Sequence, residues 1–483
     1  MGGKAIYRQY LQFAIGYFWP TLNKMSIMFR SLIIAGFLLI FSQASQAQES
    51  WSLEKCIEYA LQNNIQVKQT MLSVESAQRN KKQSFANMFP SANASTGYNL
   101  NFGRTIDPGT NAFVTESVSS QNVWLGSSVT LFNGLRLLNG LKQSQLNVLA
   151  AEYDLQSITN DISMSVATSF LQVMFSEELL QIAFDQKGIS TQMMERTQKL
   201  VDAGATAKGN LFDIKAQLAN DEVQVVNSEN NYQSAVLTLK QLLNLKEDVE
   251  FKVERPDVDL PITDPASLRV SMIYNDALEN WPAVLARETR VLGAEKGVKM
   301  AWASLTPSLD ASGNVNTVFS SSRTFSPFDT DNQTKWGEKI PYGTQLDQNL
   351  SYGLGMSLSI PIFNGLAAKN GLQQARLSKL NNELQLSDTK NQLYSSVQKA
   401  YNDAMAAYRS FLATDESVKA GEESFHYAEE RFEVGMINAM DHSTIKNNLA
   451  RVKSDRLRAK YDYIFRSKVL DFYRGKPLTF QLQ

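Results

Sequence analysis

The chain repeats itself. Ala60-Leu61-Gln62-Asn63 returns as Ala277-Leu278-Glu279-Asn280, and Phe89-Pro90-Ser91 returns as Thr306-Pro307-Ser308, both 217 positions later. Further along, Phe132-Asn133-Gly134-Leu135 returns as Phe363-Asn364-Gly365-Leu366 at an offset of 231, and Gly204/Gly435 and Ile214-Lys215/Ile445-Lys446 keep that offset. The difference, 231 − 217 = 14, falls between Pro307 and Phe363, so one insertion accounts for it. Whatever the chain folds into is therefore built twice. The copies are residues 48–245 and 268–474, with a Pro- and Asp-rich linker at 246–267 and a tail at 475–483.

Each copy holds a span too long for a globular core. From about Asn139 to Asp202, and from about Asn370 to Glu433, there is no proline, and the only glycines are Gly140, Gly188, Gly371 and Gly421. As helix, each span would run on the order of 95 Å. Val397, Ala404, Phe411, Val418 and Phe425 recur every seven residues, with Leu393, Ala400, Ala407, Thr414 and Gly421 as a second, smaller row. That period predicts coiled-coil packing. Val201-Asp202-Ala203-Gly204 and Phe432-Glu433-Val434-Gly435 end the rods, since glycine tolerates the left-handed residue that closes a helix. Return helices follow, giving helical hairpins at about 139–245 and 370–472.

Between an opening helix and the rod, each copy alternates with a period of two, the signature of a two-faced strand. Ala92, Ala94, Thr96, Tyr98, Leu100 and Phe102 oppose Ser91, Asn93, Ser95, Asn99 and Asn101; Leu309, Ala311, Val315, Thr317 and Phe319 oppose Ser308, Asp310, Ser312, Asn314 and Asn316. The returning strands alternate likewise, so strand hairpins are expected at about 91–132 and 308–361. The polar face is Ser, Asn, Gly and Thr, with Asp310 its one charge. A soluble sandwich would carry charges outside; a membrane barrel puts the apolar face in lipid and the polar face in a lumen. Four strands close no pore, and unpaired backbone is not tolerated in lipid, so the barrel must be shared between subunits. The polar connections 104–121 and 320–349 suit extracellular loops.

The bulk numbers exclude other classes. A net charge of −1 offers no basic face for nucleic acid. One cysteine, Cys56, permits no intrachain disulfide and reads as a buried small hydrophobe, and two histidines, His426 and His442, make a zinc cluster untenable. No phosphate-binding Gly-rich loop, nucleophile elbow or His-Glu-x-x-His occurs, so no enzyme activity and no cofactor are expected. Lys24 and Arg30 precede an apolar run from Leu32 to Phe41, and Ser45 and Ala47 occupy the positions a signal peptidase inspects, so residues 1–47 read as a signal peptide. Met25 or Met28 would be a more ordinary start, which puts residues 1–24 upstream of it.

Two motifs carry a family resemblance: Ser52-Leu53-Glu54-Lys55-Cys56-Ile57-Glu58-Tyr59-Ala60-Leu61, with Asn64, and Ile360-Pro361-Ile362-Phe363-Asn364-Gly365-Leu366, whose first-copy version has Thr130 in place of Pro361. With the duplicated turns, these resemble the TolC family of outer-membrane efflux proteins. The resemblance implies an internally duplicated α+β membrane protein of the Gram-negative outer membrane. It implies a homotrimer in which each protomer lends four strands to one transmembrane β-barrel and antiparallel coiled-coil helices to a periplasmic tunnel. The implied partners are a periplasmic adaptor protein and an inner-membrane pump or secretion ATPase, with outer-membrane lipid around the barrel. Acidic residues just past the second glycine turn line the family's constriction. Asp441 fits that place, Thr444 stands where a second acid can occur, and Asn210 and Asp213 are the first-copy positions. An ordinary first-turn acid, favoured by the helix dipole, explains Asp441 as well. His442 is read as polar surface on an exposed turn. The competing function is a soluble periplasmic coiled-coil scaffold without a pore.

Overall fold

The computed structural model describes residues 50–107, 111–115, 117–246, 251–254, 264–326 and 335–476. The signal peptide expected at 1–47, most of the linker and the tail beyond 476 lie outside the described residues. Two compact units are distinguished. In the small one, β1 (Ser50–Trp51) pairs in parallel with β6 (Lys252–Val253), and the Trp51 and Phe251 rings meet at 5.3 Å.

The large unit runs α1 (Leu53–Asn63), α2 (Ile65–Ala86), β2 (Ser91–Asn101), β3 (Arg104–Ile106), β4 (Phe113–Thr115), β5 (Val118–Phe132), α3 (Arg136–Asp202) and α4 (Lys208–Leu243). It continues with α5 (Val270–Asn280), α6 (Pro282–Ala303), β7 (Ser308–Ser320), α7 (Tyr342–Gln348), β8 (Ser351–Ser359), α8 (Ala367–Glu433) and α9 (Ala439–Tyr473). Setting aside β3, β4 and α7, the order of elements is the same in both halves: two helices, two strands, a 67-residue helix and a return helix.

The rods enter through the same backbone. Gly134 and Leu135 have φ of +65° each, and Gly365 and Leu366 have φ of +62° and +66°. A leucine in the left-handed region is uncommon. Here the turn is tied down from the asparagine before it, since Arg136 N donates to the Asn133 carbonyl and Ala367 N to the Asn364 carbonyl, both at 3.2 Å. Within the rods the heptad rows turn inward. Val397 and Ala404 are fully buried, and Leu393, Ala400, Ala407 and Phe411 are buried around them. A Cβ at Gly421 would stand 3.2 Å from Val452 and 3.3 Å from Leu449, so the small row does let α8 approach α9 closely. Asp154 and Arg290 pair between α3 and α6, and Asp403 and Arg466 pair at 2.6 Å between α8 and α9.

The strands form one antiparallel sheet in the order β2-β5-β7-β8, with the two hairpins joined through β5 and β7. β2 and β8 are its edges, each with an unpaired side. The register puts Tyr98 and Leu100 of β2, Val123 and Leu125 of β5, Val315 and Phe319 of β7, and Tyr352, Leu354 and Met356 of β8 on one face. Leu354 is 95% exposed, so this apolar face is uncovered within one protomer. The described parts of the connections carry secondary structure of their own. β3 and β4 form a second small hairpin, and α7 lies on β7. Gln345, fully buried, donates to the Ser320 and Ile340 carbonyls and accepts from Ser320 N, each at 2.9 Å.

Candidate channel constriction

Both rods close with a Schellman turn. Gly204 N donates to the Val201 carbonyl and Ala205 N to the Leu200 carbonyl; Gly435 N donates to Phe432 and Met436 N to Arg431. The glycines have φ of +72° and +75°. Neither would clash through an added Cβ, so the backbone conformation alone demands glycine. Arg196 and Glu433 form an ion pair at 3.4 Å between the two rod ends.

The four candidate constriction residues follow these turns. Asp441 is exposed in the first turn of α9, where its N–H donates to the Asn438 side chain at 2.8 Å. Thr444 is exposed and its hydroxyl donates to the Met440 carbonyl at 2.9 Å. Asn210 donates to the Thr206 hydroxyl at 2.9 Å, and Asp213 is exposed on the next turn of α4. The hydrogen bonds of Asp441, Thr444 and Asn210 stay within their own helix starts, and none joins one copy's pair to the other's. Cys56, fully buried, has its thiol pushed up to about 12 by that burial, so it is a neutral packing group as its sequence setting suggests.

Sequence reasoning passed over the residues beneath the turn. Lys446 is 1% exposed. Its ammonium donates to the Gln186 carbonyl at 2.8 Å, the Ser190 hydroxyl at 2.7 Å and Asp221 Oδ2 at 3.2 Å. Ser190 Oγ in turn donates to Asp221 Oδ2 at 2.6 Å, and Gln217 Nε2 donates to Asp221 Oδ1 at 2.7 Å. One polar knot thus ties α9 to α3 and α4. Burial pulls the Lys446 ammonium below its ordinary range, opposed by the Asp221 carboxylate.

His442 corrects the expectation of an exposed polar surface. It is 3% exposed, with its ring 5.4 Å from Phe425 and 4.8 Å from Phe432, and its Nδ1 has no partner. Burial lowers its basicity, Lys446 adds to that, and Glu429 opposes it. A signal for this burial existed. His442, Lys446 and Leu449 fall at i, i+4 and i+7, the spacing of an inward stripe, but two polar members kept the stripe from being recognised.

Among known proteins, a family model described as outer membrane efflux protein matches residues 56–245 and 273–475. Toxin and drug export protein A of Aggregatibacter actinomycetemcomitans is 22% identical over 321 residues, covering 64% of this chain and 68% of that protein. The outer membrane protein VceC of Vibrio cholerae superposes with a TM-score of 0.70 at 16% identity, covering 88% of this chain and 97% of its own. The CmeC outer membrane channel of Campylobacter jejuni superposes with a TM-score of 0.69 at 15% identity, covering 88% and 85%.

Proposed function

The chain belongs to the outer membrane efflux protein family, and from that premise we propose that it is the passive export duct, from periplasm to exterior, of a tripartite efflux or type I secretion system. As a member of that family it is an outer-membrane efflux channel protein. In the proposed assembly three copies share one barrel of 3 × 4 = 12 strands, and the rods form a periplasmic tunnel that meets an adaptor protein and an inner-membrane pump or secretion ATPase. The export of toxins and drugs named for the Aggregatibacter relative agrees with such a duct. The common order of elements in residues 48–245 and 268–474, with matching turns at their glycines, supports descent from a duplicated unit.

One observation carries the reading: a four-stranded sheet with two open edges and an uncovered apolar face. In lipid the unpaired N–H and C=O groups of β2 and β8 would each cost several kcal/mol, and pairing β2 of one copy with β8 of the next removes the cost. The purified particle in detergent should therefore have the mass of three chains. A stable monomer in detergent defeats the proposal. Release from membranes by salt alone would instead favour the soluble scaffold.

The tunnel needs a narrow periplasmic end, and Asp441, Thr444, Asn210 and Asp213 from each of three subunits are proposed to line it. Exposure of Asp441 past its turn supports this, because a ring of hydrated carboxylates focuses cations. Asp441→Asn should lower cation preference and weaken block by multivalent cations in planar bilayers, with trimer formation intact. Unchanged selectivity and block would leave Asp441 as the first-turn acid that its Asn438 cap also makes it.

A further inference from the structure

On the polar face of the sheet one residue does not belong. The register that sets Val123 and Leu125 on the apolar face sets Trp124 opposite Ser95 of β2 and Asn316 of β7, on the other side. Among the described residues of β2, β5, β7 and β8, it is the only aromatic on that face, which is otherwise Ser, Asn, Gly and Thr apart from Val118, Val318 and Asp310. The indole has a made seat. A Cβ added at Gly126, two residues along on the same face, would fall 2.1 Å from Trp124 Cζ2 and 2.3 Å from Cη2. Only glycine lets the ring lie flat there, and a glycine inside a strand often marks such a close approach. The ring therefore covers Gly126, which is buried, while Trp124 itself stays partly exposed.

At the second-copy positions 231 residues on stand Gly355 and Ser357, so each protomer carries one such plate. We propose that Trp124 is a stacking station inside the barrel lumen, three plates at one level, that holds planar aromatic cargo as it passes. The inference rests on the shared-barrel reading above, which makes the polar face the lumen. Its chemistry is general. Hydroxyl and amide walls bind water and give a planar aromatic solute little to grip, whereas an indole face attracts any π-system and is the best side chain for a cation held over its ring.

The test is single-channel recording on the purified full-length protein, with proflavine as planar aromatic cation and tetraethylammonium as non-aromatic control, both added from the extracellular side. Proflavine should interrupt the current with dwell times shortened on the order of tenfold by Trp124→Ala, the size of one lost aromatic stack. Trp124→Phe should keep most of the dwell, which separates stacking from a folding defect. Tetraethylammonium should be indifferent to both changes. Equal proflavine dwell in the wild type and Trp124→Ala overturns the stacking station, as does equal sensitivity of the two cations to the change.

A second measurement separates this from the barrel reading. In a Cys56→Ala background reconstituted in lipid, Trp124→Cys should react with a water-soluble methanethiosulfonate and Leu354→Cys should not. The reverse pattern overturns the barrel orientation, and the inference with it. The expected pattern together with unchanged proflavine dwell overturns the stacking station alone.

Discussion

The turns after the two rods have the same backbone and different interiors. At Gly204 the helix that follows buries Leu211 and leaves Lys215 in solvent, its ammonium 5.9 Å from the Phe212 ring. At Gly435 the same positions, 231 residues later, are His442 and Lys446, and both are buried. One copy packs its turn with an apolar side chain; the other packs it with two bases, a carboxylate from the first copy and a pair of phenyl rings. The polar knot joins the two halves of the chain at the second tip, because Lys446 reaches across to Gln186, Ser190 and Asp221 in the first half, whereas Lys215 reaches nothing comparable.

The largest expected effect tests that asymmetry. Lys446→Met strands Asp221, whose side chain is 10% exposed, without its counter-ion. Removing one partner of a buried pair costs about 3–5 kcal/mol. Lys215→Met should stay within about 0.5 kcal/mol, as for other surface changes. Hydrogen exchange across residues 440–450 and 209–219 reads both. Lys446→Met with Asp221→Leu should recover most of the loss, since a well-packed apolar pair often replaces a buried ion pair without cost. Equal costs at Lys215 and Lys446 would erase the distinction between the tips.

A smaller effect should be the same on both sides. Gly204→Ala and Gly435→Ala each force a Cβ into the left-handed region without meeting any neighbour, which costs about 1–2 kcal/mol. Unequal losses in thermal unfolding would mean that the surrounding contacts, and not the backbone, set the requirement for glycine.

Period and punctuation made most of this architecture legible before any coordinates. The heptad rows from Leu393 to Val418 lie inward because seven-residue spacing dictates one face, and Gly204 and Gly435 end helices because few other residues tolerate their φ. The strand faces follow from parity, and parity alone would have put Trp124 among the serines and asparagines. Lys446 is a different matter. Its partner Asp221 is 225 residues away, and the stripe at i, i+4 and i+7 that holds Lys446 occurs in the first copy too, as Leu211, Lys215 and Leu218, where the lysine is exposed. Long-range pairing of this kind leaves no periodic trace. The constriction residues were located by their distance from a turn, and the turn fixes where they stand without fixing what faces them.

The smallest effect at neutral pH separates the tips most cleanly when acid is added. His442 is held below its ordinary basicity of 6.5 because its ring is desolvated between Phe425 and Phe432, with Lys446 reinforcing the shift and Glu429 of α8 opposing it. A base depressed in the folded state binds fewer protons folded than unfolded, so stability rises with pH in that range. His442's contribution is fully present above 6.5 and is lost as the pH falls below that value. Relative to the intrinsic, base-catalysed exchange rate, the amides of the turn at Gly435 should therefore lose protection between pH 7.5 and pH 5 by a margin that the turn at Gly204, with Leu211 in the matching place, does not show. His442→Leu copies that first-copy residue into the second and should remove the extra acid sensitivity, while leaving exchange at pH 7.5 little changed. If the acid response persists in His442→Leu, the proton goes elsewhere.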